Sequence, residues 1–301
     1  MAIVPESNPF FSIVIPTYNR ALQLITGLKS ILDQNFANYE VIVVDDGSKD
    51  ETKARISEII LQNPSVKYFY KDNEERSIAR NYGIMKASGK YIGFLDSDDV
   101  VYPNHLSVAF ALLERNHFPE VGHLGYKFIK DTGEEILVRN KFDGSFKETL
   151  IHENILHGNA IFIRRDIAST IHFIPSRHAI LSEDWYLWLR LASRYAFHFD
   201  NTVTSAVIQH DARSLMNINP DKLIANTEVI IDFLQQDKMF LEAYTGKTAY
   251  HFANHYTFLT LILALTKRRR FETLKYLSKA IRYDPSVVFR KRFLASIKHL
   301  F

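Results

Sequence analysis

The chain has 301 residues, 47% of them hydrophobic and 24% charged, with a formal net charge of +3 and no cysteine. That length suits one large domain, or one domain with a smaller appendage, built around a real core. The missing cysteine excludes a disulfide framework, a zinc ribbon and a thiol nucleophile. The first residues, Met1 to Pro9, lack the basic and apolar regions of a signal peptide. The longest apolar run, Phe258 to Leu265, falls well short of the roughly 20 residues that span a bilayer. The expectation is a cytoplasmic protein, at most peripheral on the cytoplasmic face of a membrane. Charge is unevenly spread: Leu241 to Phe301 carries 12 Lys or Arg against 3 Asp or Glu, while the preceding part carries 25 against 31. A basic tail on an acidic body points to an anionic partner for the tail.

In chain order, Phe11 to Ile15 reads as a short buried strand, followed by Pro16 and a polar loop, Thr17-Tyr18-Asn19-Arg20. A helical pattern through Leu24, Leu28, Ile31 and Leu32 leads to a second strand, Tyr39 to Val44, which ends in Asp45-Asp46-Gly47-Ser48. Ser48 and Glu51 have capping-box spacing for a helix through Ile56, Ile59 and Ile60. Val66 to Tyr70 is a third strand, Ile78 to Ala87 a helix, and Tyr91 to Leu95 a fourth strand. Strands alternating with helices imply βαβ units and a mostly parallel sheet. Past Pro103 a helix runs to about Asn116, and Val121 to Phe146 reads as short strands and loops. Gly158 to Ile163 looks like a strand, and Ser182 is set to cap a helix beginning Glu183-Asp184-Trp185. Phe197–Phe199 and Val203–Ile208 read as two strand pieces, and everything from Asp221 onward as helix. The last helix places Phe289, Phe293, Ile297 and Leu300 on one face. That face can lie in a membrane interface or dock on the body.

The fourth strand ends in Asp96-Ser97-Asp98-Asp99. Three carboxylates in four residues repel one another unless a cation or oriented donors compensate, and hard oxygen ligands suit Mg or Mn. A solvated turn explains the same residues equally well. What favours function is the coincidence of three polar clusters, Thr17–Arg20, Asp45–Ser48 and Asp96–Asp99, at the carboxyl ends of parallel strands, where ligands of such sheets bind. Other motifs fail. Gly246-Lys247-Thr248 has Leu241 where a P-loop needs glycine, and there is no Gly-x-Gly-x-x-Gly. His152-Glu153 with His157 has one residue too many for a zinc-protease helix, and His251 with His255 lacks a third ligand.

Five motifs in order resemble those of the family 2 glycosyltransferases: Ile15-Pro16-Thr17-Tyr18-Asn19-Arg20, Val44-Asp45-Asp46-Gly47-Ser48, Ala79-Arg80-Asn81 with Gly83, Asp96-Ser97-Asp98-Asp99, and Glu183-Asp184. The resemblance covers roughly Phe11 to Ser214. It implies a GT-A fold: α/β, Rossmann-like, a mostly parallel central sheet flanked by helices, with an all-helical C-terminal extension. The transferase domain would span 1–220, with a nucleotide-sugar half at about 10–102 and an acceptor half at 103–220. Residues 221–301 would form the basic extension, with possible membrane contact. The resemblance further implies an inverting transfer from a nucleotide-sugar, UDP before dTDP or GDP, to a carbohydrate or lipid-linked glycan acceptor in surface polysaccharide synthesis. By the same resemblance, Thr17, Tyr18, Arg20 and Asp46 cradle the nucleoside and Asp96 meets the ribose. Pro16, Asp45, Arg80, Ser97 and Glu183 complete the donor site. Asp98 and Asp99, with His210, hold a divalent Mn or Mg, and Asp184 is the general base. No nucleic-acid partner is expected, because the aromatic sheet motifs of RNA binders are missing. Two rival readings are a phosphatase of the haloacid dehalogenase type, with Asp96 as nucleophile, and a non-catalytic membrane scaffold. The first requires the acidic strands in reversed order, and the second gains nothing from intact Asp98 and Asp184.

Overall fold

Nine strands stand among the described residues of the computed structural model, which are 8–142, 144–209, 219–266 and 269–300. These fall into two units, one from 1–146, 155–177 and 195–211, the other from 147–154, 178–194 and 212–301.

The first unit is a mixed α/β sheet. β1 (Phe11–Thr17), β2 (Tyr39–Asp45), β3 (Val66–Tyr70) and β4 (Tyr91–Phe94) pair in parallel, joined by α1 (Ala21–Leu32), α2 (Thr52–Gln62) and α3 (Arg76–Lys86). Such strands are covered on both faces and therefore read as continuous apolar runs; β1 is buried along its whole length. The parallel expectation describes these four strands. Beyond β4 the sheet turns mixed, in the order β3-β2-β1-β4-β8-β6-β9-β5, with β7 on β6. The later strands are β5 (Val100–Val101), β6 (Val121–Lys130), β7 (Glu135–Arg139), β8 (Ile161–Arg164) and β9 (Phe197–Gln209), with α4 (His105–Arg115) after β5. Leu24, Leu28 and Ile31 of α1 and Leu106, Leu112 and Leu113 of α4 close the core over the strands.

Two sequence expectations change here. The stretch after Val121 is one ten-residue strand, and Phe197 to Gln209 is a single strand. Gly122, His123 and Gly125 interrupt the apolar run in sequence. The β6–β9 register shifts between Leu124 and Tyr126. A Cβ on Gly125 would meet the carbonyl oxygens of Asn201 and Thr202 at 2.9 Å, so only glycine lets the bulged partner approach. The capping box is also absent: Ser48 serves the neighbouring loop, and Asp50 Oδ1 accepts from the Thr52 amide at 3.1 Å and its hydroxyl at 2.5 Å.

At the opposite, amino-terminal edge of the sheet, buried Glu40 accepts from Ser12 Oγ at 2.6 Å, Lys67 Nζ at 2.6 Å and the Ser88 amide at 2.7 Å. Burial pushes its carboxyl up, but these donors outweigh burial and hold it below the usual range.

The second unit is helical: α7 (Glu183–Ala192), α8 (Pro220–Gln236), α9 (Lys238–Ala243), α10 (Thr248–Leu265), α11 (Arg270–Tyr283) and α12 (Lys291–Leu300), with α5 (Phe146–Leu150) running into it. The short helix α6 (Arg165–Ala168) belongs to the first unit. Among the described residues no helix is long and apolar enough to cross a membrane. Arg190 and Arg194 of the α7 segment share Asp237, each at 2.6 Å.

Buried histidines make the fold acid-sensitive. Burial pushes His105 and His123 in the first unit down to about 3, and His251 in the second to about 4. An unfolded histidine titrates near 6.5, so between that value and the folded one only the unfolded chain takes up the proton. Stability is complete above about pH 6.5 and falls as pH drops toward 4, by up to ~1.4 kcal/mol per pH unit for each such histidine. The urea midpoint should therefore fall markedly between pH 7 and pH 5; an unchanged midpoint would show that these histidines charge freely in the fold.

Candidate active site

Parallel register brings the ends of β1, β2 and β4 to one edge: Thr17 lies opposite Asp45, and the Leu95 amide donates to Val14 O at 3.0 Å. Pro16 sits on β1 just past the last β4 pair, on the side where its missing N–H removes no ladder bond. The three loops are tied to one another. The Asp46 amide donates to Thr17 O at 2.9 Å. The Asn19 amide donates to Ser48 Oγ at 2.9 Å, and Asn19 Oδ1 accepts from the Lys49 amide at 2.8 Å. This exchange holds Asn19 in the left-handed region, at φ 51°. Arg20 reaches across to Asp98, with an Nη1–Oδ2 distance of 2.6 Å. Tyr18 is 45% exposed on the rim, while Thr17 is buried and its Oγ1 has no hydrogen-bond partner among the described residues.

The carboxylates are compensated one by one. Asp45 accepts from the Ser48 amide and from the Tyr68 hydroxyl, both at 2.7 Å. Burial and this neighbouring charge push the Tyr68 phenol up. Asp46 accepts from Lys71 Nζ at 2.7 Å and the Glu74 amide at 3.0 Å. Asp96 meets Arg80 at 2.6 Å, and Arg80 in turn lies over the Phe173 ring at 5.1 Å. Burial pushes the Asp96 carboxyl up, but the charges of Arg80, His157 and Arg76 outweigh it and hold the group well below the usual carboxylate range. Asn81, next to Arg80, exchanges two hydrogen bonds with the Phe173 backbone, at 3.0 and 3.1 Å, and so fixes the ring. Ser97 is buried inside the loop. Asp99 is buried and accepts from Asn159 Nδ2 at 2.8 Å and the Ile208 amide at 2.9 Å. Gly27 of α1 allows the loop this close: a Cβ there would stand 2.9 Å from Asp99 O.

Asn159 and His157 escaped sequence reasoning. Asn159 Oδ1 also accepts from the Asp96 amide at 2.9 Å, so one side chain holds both ends of the acidic turn. Gly158–Ala160 is a 3-10 turn in place of the expected strand start, with His157 Nδ1 accepting from the Asn159 amide at 3.3 Å. Asp96, Asp99 and His157 offer ligand atoms that all lie within 4.8 Å of one another. Two carboxylates and an imidazole fit a divalent ion of the Mn type. His157, set aside in the sequence as part of a failed zinc motif, thus stands in the metal-competent cluster. Asp98 is outside that cluster and paired with Arg20. His210 lies outside the described residues.

Glu183 and Asp184 open α7 in the second unit. Ser182 holds the cap position at φ 57° without a side-chain cap bond, a strained backbone for a non-glycine residue. Asp184 Oδ1 accepts from the Trp185 amide at 2.6 Å, and Oδ2 from Asn154 Nδ2 at 3.3 Å. Glu183 is buried. Behind them, Trp185 Nε1 donates to Leu150 O at 2.7 Å, and its ring packs on His251 and His255 of α10. A carbonyl only accepts, so the 2.9 Å bond from His251 Nδ1 to Ile151 O puts the proton on Nδ1. Neutral His251 then accepts at Nε2 from His255 Nε2, 3.1 Å away. The histidine pair read from sequence as a poor metal site is therefore a polar brace for the segment that carries Asn154.

A sheet with three polar loops at its parallel strand ends, two of them acid-bearing, and a helical C-terminal region is the architecture of GT-A proteins. The chain matches the model of glycosyl transferase family 2 over residues 12–172 and belongs to that family. It is 33% identical over 220 residues to an uncharacterized glycosyltransferase of Rickettsia bellii, covering 69% of this chain but 30% of that protein. The chain thus spans under a third of the length of this relative. Among solved structures, S. aureus TarS 1–349 in complex with UDP-GlcNAc superposes with a TM-score of 0.63 at 16% identity, covering 92% of this chain and 90% of the other. The mannosyltransferase PcManGT from Pyrobaculum calidifontis, in complex with GDP-Man and Mn2+, gives a TM-score of 0.56 at 14% identity over 99% of this chain and 88% of the other. These likenesses define the fold as GT-A.

Proposed function

We propose that the protein transfers a sugar from a UDP-sugar to an acceptor hydroxyl with inversion, in the building of a cell-surface glycan. The observation that carries this reading is the bonded set of loops at one sheet edge, in which Thr17–Arg20, Asp45–Ser48 and Asp96–Asp99 are tied together by direct hydrogen bonds and the Arg20–Asp98 pair. Family membership favours it over the phosphatase reading, and Asp96, the nucleophile of that alternative, is neutralised by Arg80. The UDP-GlcNAc complex of TarS supports the donor class.

Within residues 10–102, Tyr18 offers an exposed ring to the base, Thr17 and Asp46 face the nucleoside, and Asp96 meets the ribose. Pro16, Asp45, Arg80 and Ser97 hold that surface in shape, and Glu183 belongs to the donor side. Arg20 and Arg80 place positive charge where a diphosphate needs it. Asp99 with Asp98, or with Asp96 and His157, would hold the divalent ion, with His210 as a further candidate. Mn in the PcManGT complex supports that choice. When bound, the ion supplies Lewis-acid stabilisation of the leaving diphosphate. Asp184 takes the proton of the acceptor hydroxyl while its oxygen bonds to the sugar C1 and the bond from C1 to the diphosphate breaks. Residues 103–220 would receive the acceptor, a carbohydrate or lipid-linked glycan.

The test is thermal unfolding with UDP, GDP and dTDP, each with and without Mn. UDP with Mn should give the largest rise in Tm; a ligand at a hundred times its Kd stabilises by about 2.7 kcal/mol. If no nucleoside diphosphate moves Tm at millimolar concentration, the donor assignment fails.

A further inference from the structure

The basic tail does not present the face that its sequence suggests. On α12, Phe293 and Leu300 are buried, while Leu294 and the preceding Phe289 are exposed. A continuous exposed apolar stripe lies on α11. Thr273, Tyr276, Leu277 and Ala280 face inward, while Phe271, Leu274 and Ile281 line the outer side with Ser278 among them. Helical spacing puts these outer positions within one narrow stripe, with Lys275 and Arg282 along one border and Arg270 along the other. Phe271 is 88% exposed. A charged helix that turns a bulky aromatic outward between basic residues has the makeup of an interfacial helix.

Beside the start of this stripe is a cleft of about 340 Å3, lined by Leu263, Arg269, Arg270, Thr273 and Lys298 among others. Arg269 is committed to Glu272 and Asp221, each at 2.8 Å. Arg270 and Lys298 are exposed and form no ion pair among the described residues. Arg270 and Lys298 thus both line a cleft at the N-terminus of α11, next in sequence to the exposed Phe271, and helix N-termini favour anions.

We propose that this face of α11, with the Arg270–Lys298 cleft, docks on an anionic phospholipid bilayer, the cleft taking a headgroup phosphate and Phe271 and Leu274 entering the acyl boundary. Charge complementarity selects this partner. A second copy would set basic face against basic face, in a segment with 12 Lys or Arg and 3 Asp or Glu. The inference stands apart from the transferase reading, because it concerns a surface that can be assayed without donor or acceptor.

The test is co-sedimentation of the 301-residue chain with vesicles of phosphatidylcholine alone or with 30% phosphatidylglycerol, at low and at 0.5 M salt. Binding should require the anionic lipid and weaken with salt. Arg270→Glu with Lys298→Glu should lower it tenfold or more, since each basic residue near such a surface contributes substantially. Phe271→Ser should lower it several-fold at unchanged charge; all these positions are exposed, and unaltered Tm confirms the fold. Equal binding to both vesicles, or an unaffected double variant, would overturn the proposal. So would a Phe271→Ser variant that binds as the parent does, because the ligand would then be a phosphate alone. Preference for an RNA duplex over the anionic vesicles would overturn it as well.

Discussion

Asp184→Asn should abolish sugar transfer while leaving nucleotide binding intact. A general base of this kind contributes about 10²–10⁴-fold, so single-turnover product formation should drop by that range. The substitution suits the site. The amide oxygen can keep the bond from the Trp185 amide, 2.6 Å from Oδ1. Its new NH2 would face Asn154, whose own Oδ1 is buried without a hydrogen-bond partner among the described residues and can turn to accept. Folding should therefore be preserved, which an unchanged Tm checks, and the loss then reports on proton transfer. Turnover within tenfold of the parent would remove Asp184 from the base position, and a parallel loss of UDP affinity would reassign it to donor binding.

The second large effect is expected at Asp99, which belongs to both possible ligand sets, the sequence pair Asp98–Asp99 and the cluster Asp96–Asp99–His157. Asp99→Ala should lower Mn affinity at least a hundredfold, because a first ligand of a hard cation is lost. It also strands Asn159 Nδ2 and the Ile208 amide, each costing about 1–3 kcal/mol. Affinity must then be read by calorimetry below the lowered Tm. His157→Gln and Asp98→Ala separate the two sets. A tenfold or greater loss with His157→Gln and little change with Asp98→Ala places the ion on the cluster. The reverse result restores Asp98 as ligand and leaves His157 a support for Asn159. Undiminished Mn affinity in Asp99→Ala would exclude a metal from this turn.

The acidic turn illustrates how far residue types alone can lead. Three close carboxylates require compensation, and that requirement is met, but by means the sequence leaves open. Asp96 and Asp98 are neutralised by Arg80 and Arg20, and Asp99 by neutral donors from Asn159 and β9. The charges of Arg20 and Arg80 are visible in their motifs; their partners are not. His157 and Asn159 sit in no motif, and the one local signal, a His-x-Asn immediately before a strand, has meaning only once β8 is paired with β4.

Local periodicity therefore determined the parallel half of the sheet, the positions of its acid-bearing loops and the helical C-terminal region, because each depends on apolar spacing and turn chemistry within some ten residues. Tertiary structure decided what depends on distant pairing. The β4–β8–β6 order carries His157 and Asn159 to the acidic turn, a bulge makes one strand of two fragments in β9, and α10 braces the segment holding Asn154. It also chose which apolar face of the basic tail is buried. Packing buried Phe293 and Leu300 of α12 and left α11 with Phe271 turned to solvent, a choice no single helix can encode, since each of the two carries apolar side chains enough for the core.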